Sequence, residues 1–217
     1  MSDTLKARRE KVKKIAPALE RAYPDARCLL DHKTPLQLLV ATILAAQCTD
    51  ARVNEVTQDL FKKYKTAEDF AEADPEELQE AIRPTGFFRN KARSIRKMAS
   101  ELVEKHDGKV PGTMKELTDL GGVGRKTAGV ILATCFDQPA IIVDTHVSRV
   151  TGRIGLTDEK NADKIERDLR EIVPEKKWTT FSHTAGFHGR QVCHSRKPDC
   201  ENCRISTWCD YYAENAG

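Results

Sequence analysis

Apolar residues recur along this chain at the spacing of a helix, and almost nowhere at the spacing of a strand. That period constrains the fold first. Side chains three and four positions apart share a helix face, whereas a half-buried strand needs alternation. Leu5, Val12, Ile15 and Leu19 share one face of a first helix. Leu36, Val40, Ile43 and Gln47 define a second, which carries Gln47 at its end. Asp50 is placed to cap a third, with Val53, Val56, Leu60 and Tyr64 inward. Asp74-Pro75-Glu76-Glu77 reads as a helix start, with proline in the first position. Ala92, Ile95, Ala99 and Leu102 pattern a helix over 90–105, stopped by His106-Asp107-Gly108. Further helices are predicted from Thr113, Arg125, Asp144, Thr157 and Pro174. The apolar segment 140–143 is too short to propose a sheet. The predicted fold class is all-α.

A length of 217 residues suggests one or two domains, with a core large enough to need no disulfides. Charged residues make up 32% but the net charge is only +3, so any basic face must be local. No apolar run approaches a membrane span. The N-terminal MSDTLKARREKVKK has no apolar segment of a signal peptide, so the expected compartment is the cytoplasm. Disulfides are rare there. No internal repeat, low-complexity tract or long linker stands out.

Three groups of residues can carry chemistry. Leu120-Gly121-Gly122-Val123-Gly124-Arg125-Lys126 joins two short helices through a glycine-rich turn. Gly122, Val123 and Gly124 let a backbone come close, and the first N–H groups of the next helix, with Arg125, offer a phosphate site. Such contacts grip a nucleic-acid backbone without reading sequence; a plain helical hairpin is the bland alternative. Lys126 lies in the first turn, where the helix dipole and Arg125 are expected to depress its pKa and favour a nucleophilic neutral amine. From spacing alone, a second phosphate-binding cation is the stronger reading of Lys126. Asp144 reads first as an N-cap, and His146 and His183 as core or surface histidines.

Cys193, Cys200, Cys203 and Cys209 crowd into the C-terminal end as C-x6-C-x2-C-x5-C, while Cys28, Cys48 and Cys135 are scattered. Four such thiols in a cytoplasmic chain point to a metal. Zinc is slightly favoured on spacing, with an iron–sulfur cluster as its rival. Arg196 and Lys197 make the same loop basic. Gly86-Phe87-Phe88-Arg89 places two aromatics in a turn beside cations, as core or as a wedge for a base stack.

Taken in order, Ala46-Gln47-Cys48-Thr49-Asp50, the Thr85-to-Ala92 stretch, the glycine hairpin, Val143-Asp144-Thr145-His146-Val147 and the cysteine spacing resemble the endonuclease III family. These are DNA glycosylases of the helix-hairpin-helix superfamily, and the resemblance covers nearly the whole chain. It implies two helical domains flanking a DNA-binding cleft. One is a six-helix barrel over 28–138, with the helix-hairpin-helix at 113–136. The other joins 1–27 to 139–217 and holds a [4Fe-4S] cluster on Cys193, Cys200, Cys203 and Cys209. The resemblance makes Lys126 the nucleophile and Asp144 its carboxylate partner, with Gln47 and Phe87 as gap-filling wedges. It implies a monomer that acts on double-stranded DNA carrying a damaged base, such as an oxidised pyrimidine, or an abasic site. Lys126 points to the bifunctional branch, since the adenine-specific relatives lack it. The remaining alternatives are a monofunctional mismatch glycosylase and a non-catalytic DNA-binding module. Two departures stand out. Gly121 replaces the proline of the usual Leu-Pro-Gly-Val-Gly, which predicts a floppier turn. Phe87 stands where leucine is common.

Overall fold

A computed structural model describes residues 3–215, and every regular element among them is helical. Helix α1 spans Asp3–Ala22. Then follow α2 (Pro35–Leu44), α3 (Asp50–Lys63), α4 (Ala67–Glu72), α5 (Pro75–Ile82), α6 (Phe88–His106), α7 (Met114–Thr118) and α8 (Arg125–Cys135). The chain closes with α9 (Thr145–Ile154), α10 (Ala162–Ile172), α11 (Trp178–Gln191) and α12 (Asp210–Asn215). Two compact units result: Leu29–Gln138, and the paired segments Met1–Cys28 and Pro139–Gly217.

In the unit Leu29–Gln138, α2 is apolar on nearly every side. Eight of its ten residues are buried, which marks it as the central helix. Thr34 caps it and Pro35 fills the first position, where no N–H is needed. It packs on α3, α6 and α8. Helix α6 is the longest of this unit. Lys91, Ala92, Ile95, Met98, Ala99 and Leu102 form its buried stripe, set against α4 and α5. Asp107 and Gly108 end it with left-handed backbone at φ 51° and 73°.

The other unit is organised by α1, α9, α10 and α11, whose inward faces share one core. Ile15, Leu19, Val150, Ile154, Leu169, Phe181 and Ala185 are central to it. Residues 140–143 run through this unit as a buried strap outside any helix. Among the described residues they have no sheet partner, and α11 takes two of their amides: Ala140 N–H donates to Thr179 Oγ1 at 3.2 Å and Ile142 N–H to Ser182 Oγ at 2.9 Å. The strap delivers the chain directly to Asp144.

Several boundaries differ from the expectation. Helix α2 stops at Leu44, so Gln47 lies beyond it with φ 54°. Thr49 rather than Asp50 caps α3, because its hydroxyl accepts from Arg52 N–H. Thr157 opens no helix; it is buried and donates to Asp168 Oδ2 at 2.5 Å, while Asn161 caps α10. Helix α4, with a full capping box between Thr66 and Asp69, was not read from the sequence.

Candidate functional site

The hairpin runs from α7 through 119–124 into α8. Leu117, Leu120 and Val123 are buried and anchor it, leaving Gly122 and Gly124 exposed between them. Gly122 has φ 81°, and a Cβ there would meet Ser94 Cβ of α6 at 3.1 Å. Both the backbone angle and the close approach therefore call for glycine. Gly124 supplies no side-chain cap to α8, so the leading amides of that helix get no acceptor from the N-cap. Arg125 and Lys126 sit in this first turn, both exposed.

Gln47 and Phe87 meet the hairpin at one open cavity, lined also by Lys91, Ser94, Gly122 and Thr127. Phe87 is 62% exposed and has φ 49°. A bulky residue in the left-handed region is strained and persists only where its surroundings hold it. Gln47, at φ 54°, is also exposed. Two left-handed side chains thus project at the same cavity.

Asp144 belongs to the other unit. It caps α9, with Oδ1 accepting from His146 N–H at 2.9 Å and Val147 N–H at 2.8 Å. Its Oδ2 faces the Arg190 guanidinium at 3.6 Å. His183 titrates below the usual histidine range, chiefly through burial and then through Arg190, with Asp144 opposing. Arg190 was missed in the sequence because it reaches Asp144 from α11, far along the chain; His183, read only as a core or surface histidine, is partly buried in α11 within the field of both. Glycine at 189 lets α11 approach α9 closely: a Cβ there would lie 2.8 Å from His146 Cβ.

The four C-terminal cysteines line one small pocket with Val150, Ile154, His188 and Ile205. Burial raises the thiols of Cys200, Cys203 and Cys209, and crowding by neighbouring cysteines adds to it. His188 is pushed down to about 4 by burial; its Nδ1 meets Tyr23 Oη at 2.9 Å and its Nε2 lies 3.6 Å from Cys203 Sγ. Two arginines of α9 hold the loop by its carbonyls. Arg149 donates to Cys193 O and Gly189 O, and Arg153 to His194 O and Ser195 O. Arg196 and Lys197 are exposed on that loop. The sequence signal for the arginine pair was their i, i+4 spacing, which was passed over.

A family model described as HhH-GPD superfamily base excision DNA repair protein matches residues 40–175, a stretch that includes both Lys126 and Asp144. The Endonuclease III of Synechocystis sp. is 48% identical over 94% of this chain and 93% of its own length. The chain belongs to the endonuclease III family. Among solved structures, a trapped Endonuclease III–DNA covalent intermediate in an estranged-adenine complex is 40% identical. That likeness spans 96% of this chain and 99% of the other, with a TM-score of 0.92. A thermostable thymine-DNA glycosylase is 25% identical over 94% of this chain and 98% of its own, with a TM-score of 0.85.

Within the endonuclease III pattern, Gly121 is the departure that the structure explains. Its N–H donates to Glu101 Oε2 at 2.5 Å. Proline has no N–H and could not make this bond. The turn that was expected to be floppy is tied by a charge-assisted hydrogen bond to α6.

Proposed function

We propose that this chain is a bifunctional base-excision enzyme, a DNA glycosylase and abasic-site lyase for oxidised pyrimidines in duplex DNA. The observation that carries the reading is Lys126, exposed in the first turn of a helix that opens from the Gly122–Gly124 turn. That turn and the leading amides of α8 suit a phosphate, with Arg125 adding charge. Arg196 and Lys197 are assigned a second backbone contact, and Gln47 and Phe87 fill the gap left by a flipped nucleotide.

In this reading the neutral Lys126 amine attacks the sugar C1′. A carbon–nitrogen bond forms as the glycosidic bond breaks, and the base leaves with the electron pair and takes up a proton. Ring opening gives a Schiff base between Nζ and C1′. Loss of the C2′ proton then expels the 3′ phosphate, which nicks the strand 3′ to the lesion. Water hydrolyses the imine and frees the lysine. Asp144 is assigned the carboxylate that activates the amine and offsets positive charge at the sugar. Its orientation is supported by two α9 amides.

Cys193, Cys200, Cys203 and Cys209 would hold a [4Fe-4S] cluster, a group that takes four thiolates. The fit rests on four thiols lining one cavity. Bound there, the group supplies four metal–thiolate links across the loop that carries Arg196 and Lys197. Among the described residues no helix is long and apolar enough to cross a membrane. In this reading the enzyme acts as a monomer on nucleoid DNA in the cytoplasm.

Likeness to the thymine-DNA glycosylase favours a monofunctional mismatch glycosylase as the second reading. One assay separates them. Pure protein is incubated with duplexes carrying thymine glycol, uracil or a T·G mismatch, with and without borohydride. The bifunctional reading expects nicked product and a covalent adduct at Lys126. Lys126→Ala should abolish trapping and still bind duplex; trapping that persists in this variant moves the nucleophile elsewhere, and base loss without nicking favours the second reading.

A further inference from the structure

Lys91 is the one buried lysine among the described residues, at 5% exposure. Its ammonium donates to Leu44 O at 2.8 Å and to Thr85 O at 2.7 Å. Burying a cation is unfavourable unless its hydrogens find acceptors, and burial holds this amine below the ordinary lysine value. The two acceptors come from separate places. Leu44 is the last residue of α2, with a carbonyl that lacks a continuing helix, and Thr85 ends the short turn before α6. Three residues after the first carbonyl comes Gln47; two residues after the second comes Phe87. Both are left-handed, exposed and on the rim of the same cavity.

We infer that Lys91 is a positioning residue whose ammonium clips the Leu44 and Thr85 carbonyls together and so fixes the spacing at which Gln47 and Phe87 enter a base stack. The inference rests on the wedge role given to those residues above. Phe87, as N-cap of α6, makes no side-chain cap of its own. With the clip removed, each turn relaxes alone and the wedges no longer enter as a pair. The chemistry at Lys126 would then be limited by opening the duplex.

The test compares single-turnover nicking of two duplexes with the same thymine glycol, one paired with adenine and one inside an unpaired bubble. A 2-aminopurine beside the lesion reports unstacking, and thermal melting reports folding. Opening is easiest for bases already unpaired, so Lys91→Met should lose more rate on the paired duplex than on the bubble, by on the order of tenfold. The 2-aminopurine signal should fall with it. Lys91→Arg, which keeps the donors, should restore most of the ratio. If Lys91→Met does not fold, Lys91→Gln, with an amide donor in the same slot, should give an intermediate ratio. A folded Met or Gln variant with the wild-type ratio overturns the clip, whatever its overall rate. Wild-type protein that nicks neither duplex overturns the base-excision reading itself, and the clip with it.

Discussion

The Gly121–Glu101 bond gives a prediction with opposite signs in two backgrounds. Gly121 does not have a positive φ, and a Cβ there would first meet the flexible Lys97 chain, at 2.7 Å from Cδ. Proline, the usual residue of the family pattern at this position, calls for Lys97 to shift. It would stabilise by about 0.4–1 kcal/mol through the unfolded chain. It would also delete the N–H that Glu101 accepts, and a hydrogen bond to a charged group contributes about 1.5–3 kcal/mol. Glu101 is largely shielded, with 16% of its side chain exposed, although Lys97 and Lys105 at 4.0 Å still partner the carboxylate left behind. In the wild-type background Gly121→Pro should thus destabilise by about 1–2 kcal/mol. In Glu101→Ala, where no bond is left to lose, the same proline should stabilise by about 0.5–1 kcal/mol. For a chain of this size 1 kcal/mol moves Tm by roughly 2–4 °C, within reach of thermal melting. The double-mutant cycle isolates the coupling. Additivity of the two changes would refute the claim that this N–H replaces the rigidity of proline.

Two further outcomes follow from the Asp144 corner. Asparagine caps helices about as well as aspartate, so Asp144→Asn should change stability by only a few tenths of a kcal/mol. Single-turnover base excision should fall roughly hundredfold; a matching loss of affinity or Tm would leave Asp144 as a cap alone. His183 should titrate by NMR with a midpoint below 6.5, moving up in Arg190→Gln and further down in Asp144→Asn. Because the folded value is the lower one, stability from neutral His183 is complete above the unfolded value and is lost as pH falls below about 6.5. A midpoint at or above 6.5 contradicts the assigned surroundings.

Periodicity made the all-α class legible because it is written locally, in residues three and four apart. Asp74-Pro75 and Asp144 were legible for the same reason: a cap is decided within four residues. Thr49 against Asp50 was a contest between two adequate caps, and the extended backbone at Thr49 decided it. Thr157 misled because its hydroxyl serves Asp168 across a loop, a partner eleven residues away. In the hairpin, Gly-Val-Gly-Arg-Lys placed Lys126 in an exposed first turn as written. By contrast, Lys91 reads as an ordinary surface cation until its position in the stripe 91, 95, 98, 102 is noticed. Its value depends on carbonyls 6 and 47 residues distant, which no local pattern encodes. Arg190 was hidden for the same reason.

Helix α6 acts as a common datum for the elements that would meet DNA. Phe87 caps its start, Lys91 holds the two wedge turns, Ser94 receives Gly122, and Glu101 holds Gly121. At 1.5 Å per residue these supports are spread over roughly 20 Å of one helix. A helix of 19 residues, buried along one stripe, does not bend easily under local changes at its surface turns. The wedge turns and the hairpin therefore share a reference. Changes near Lys91 should be felt in duplex opening, whereas changes at Glu101 should be felt in the hairpin's grip on phosphate. If both kinds of change instead scaled with overall stability, α6 would be core and nothing more.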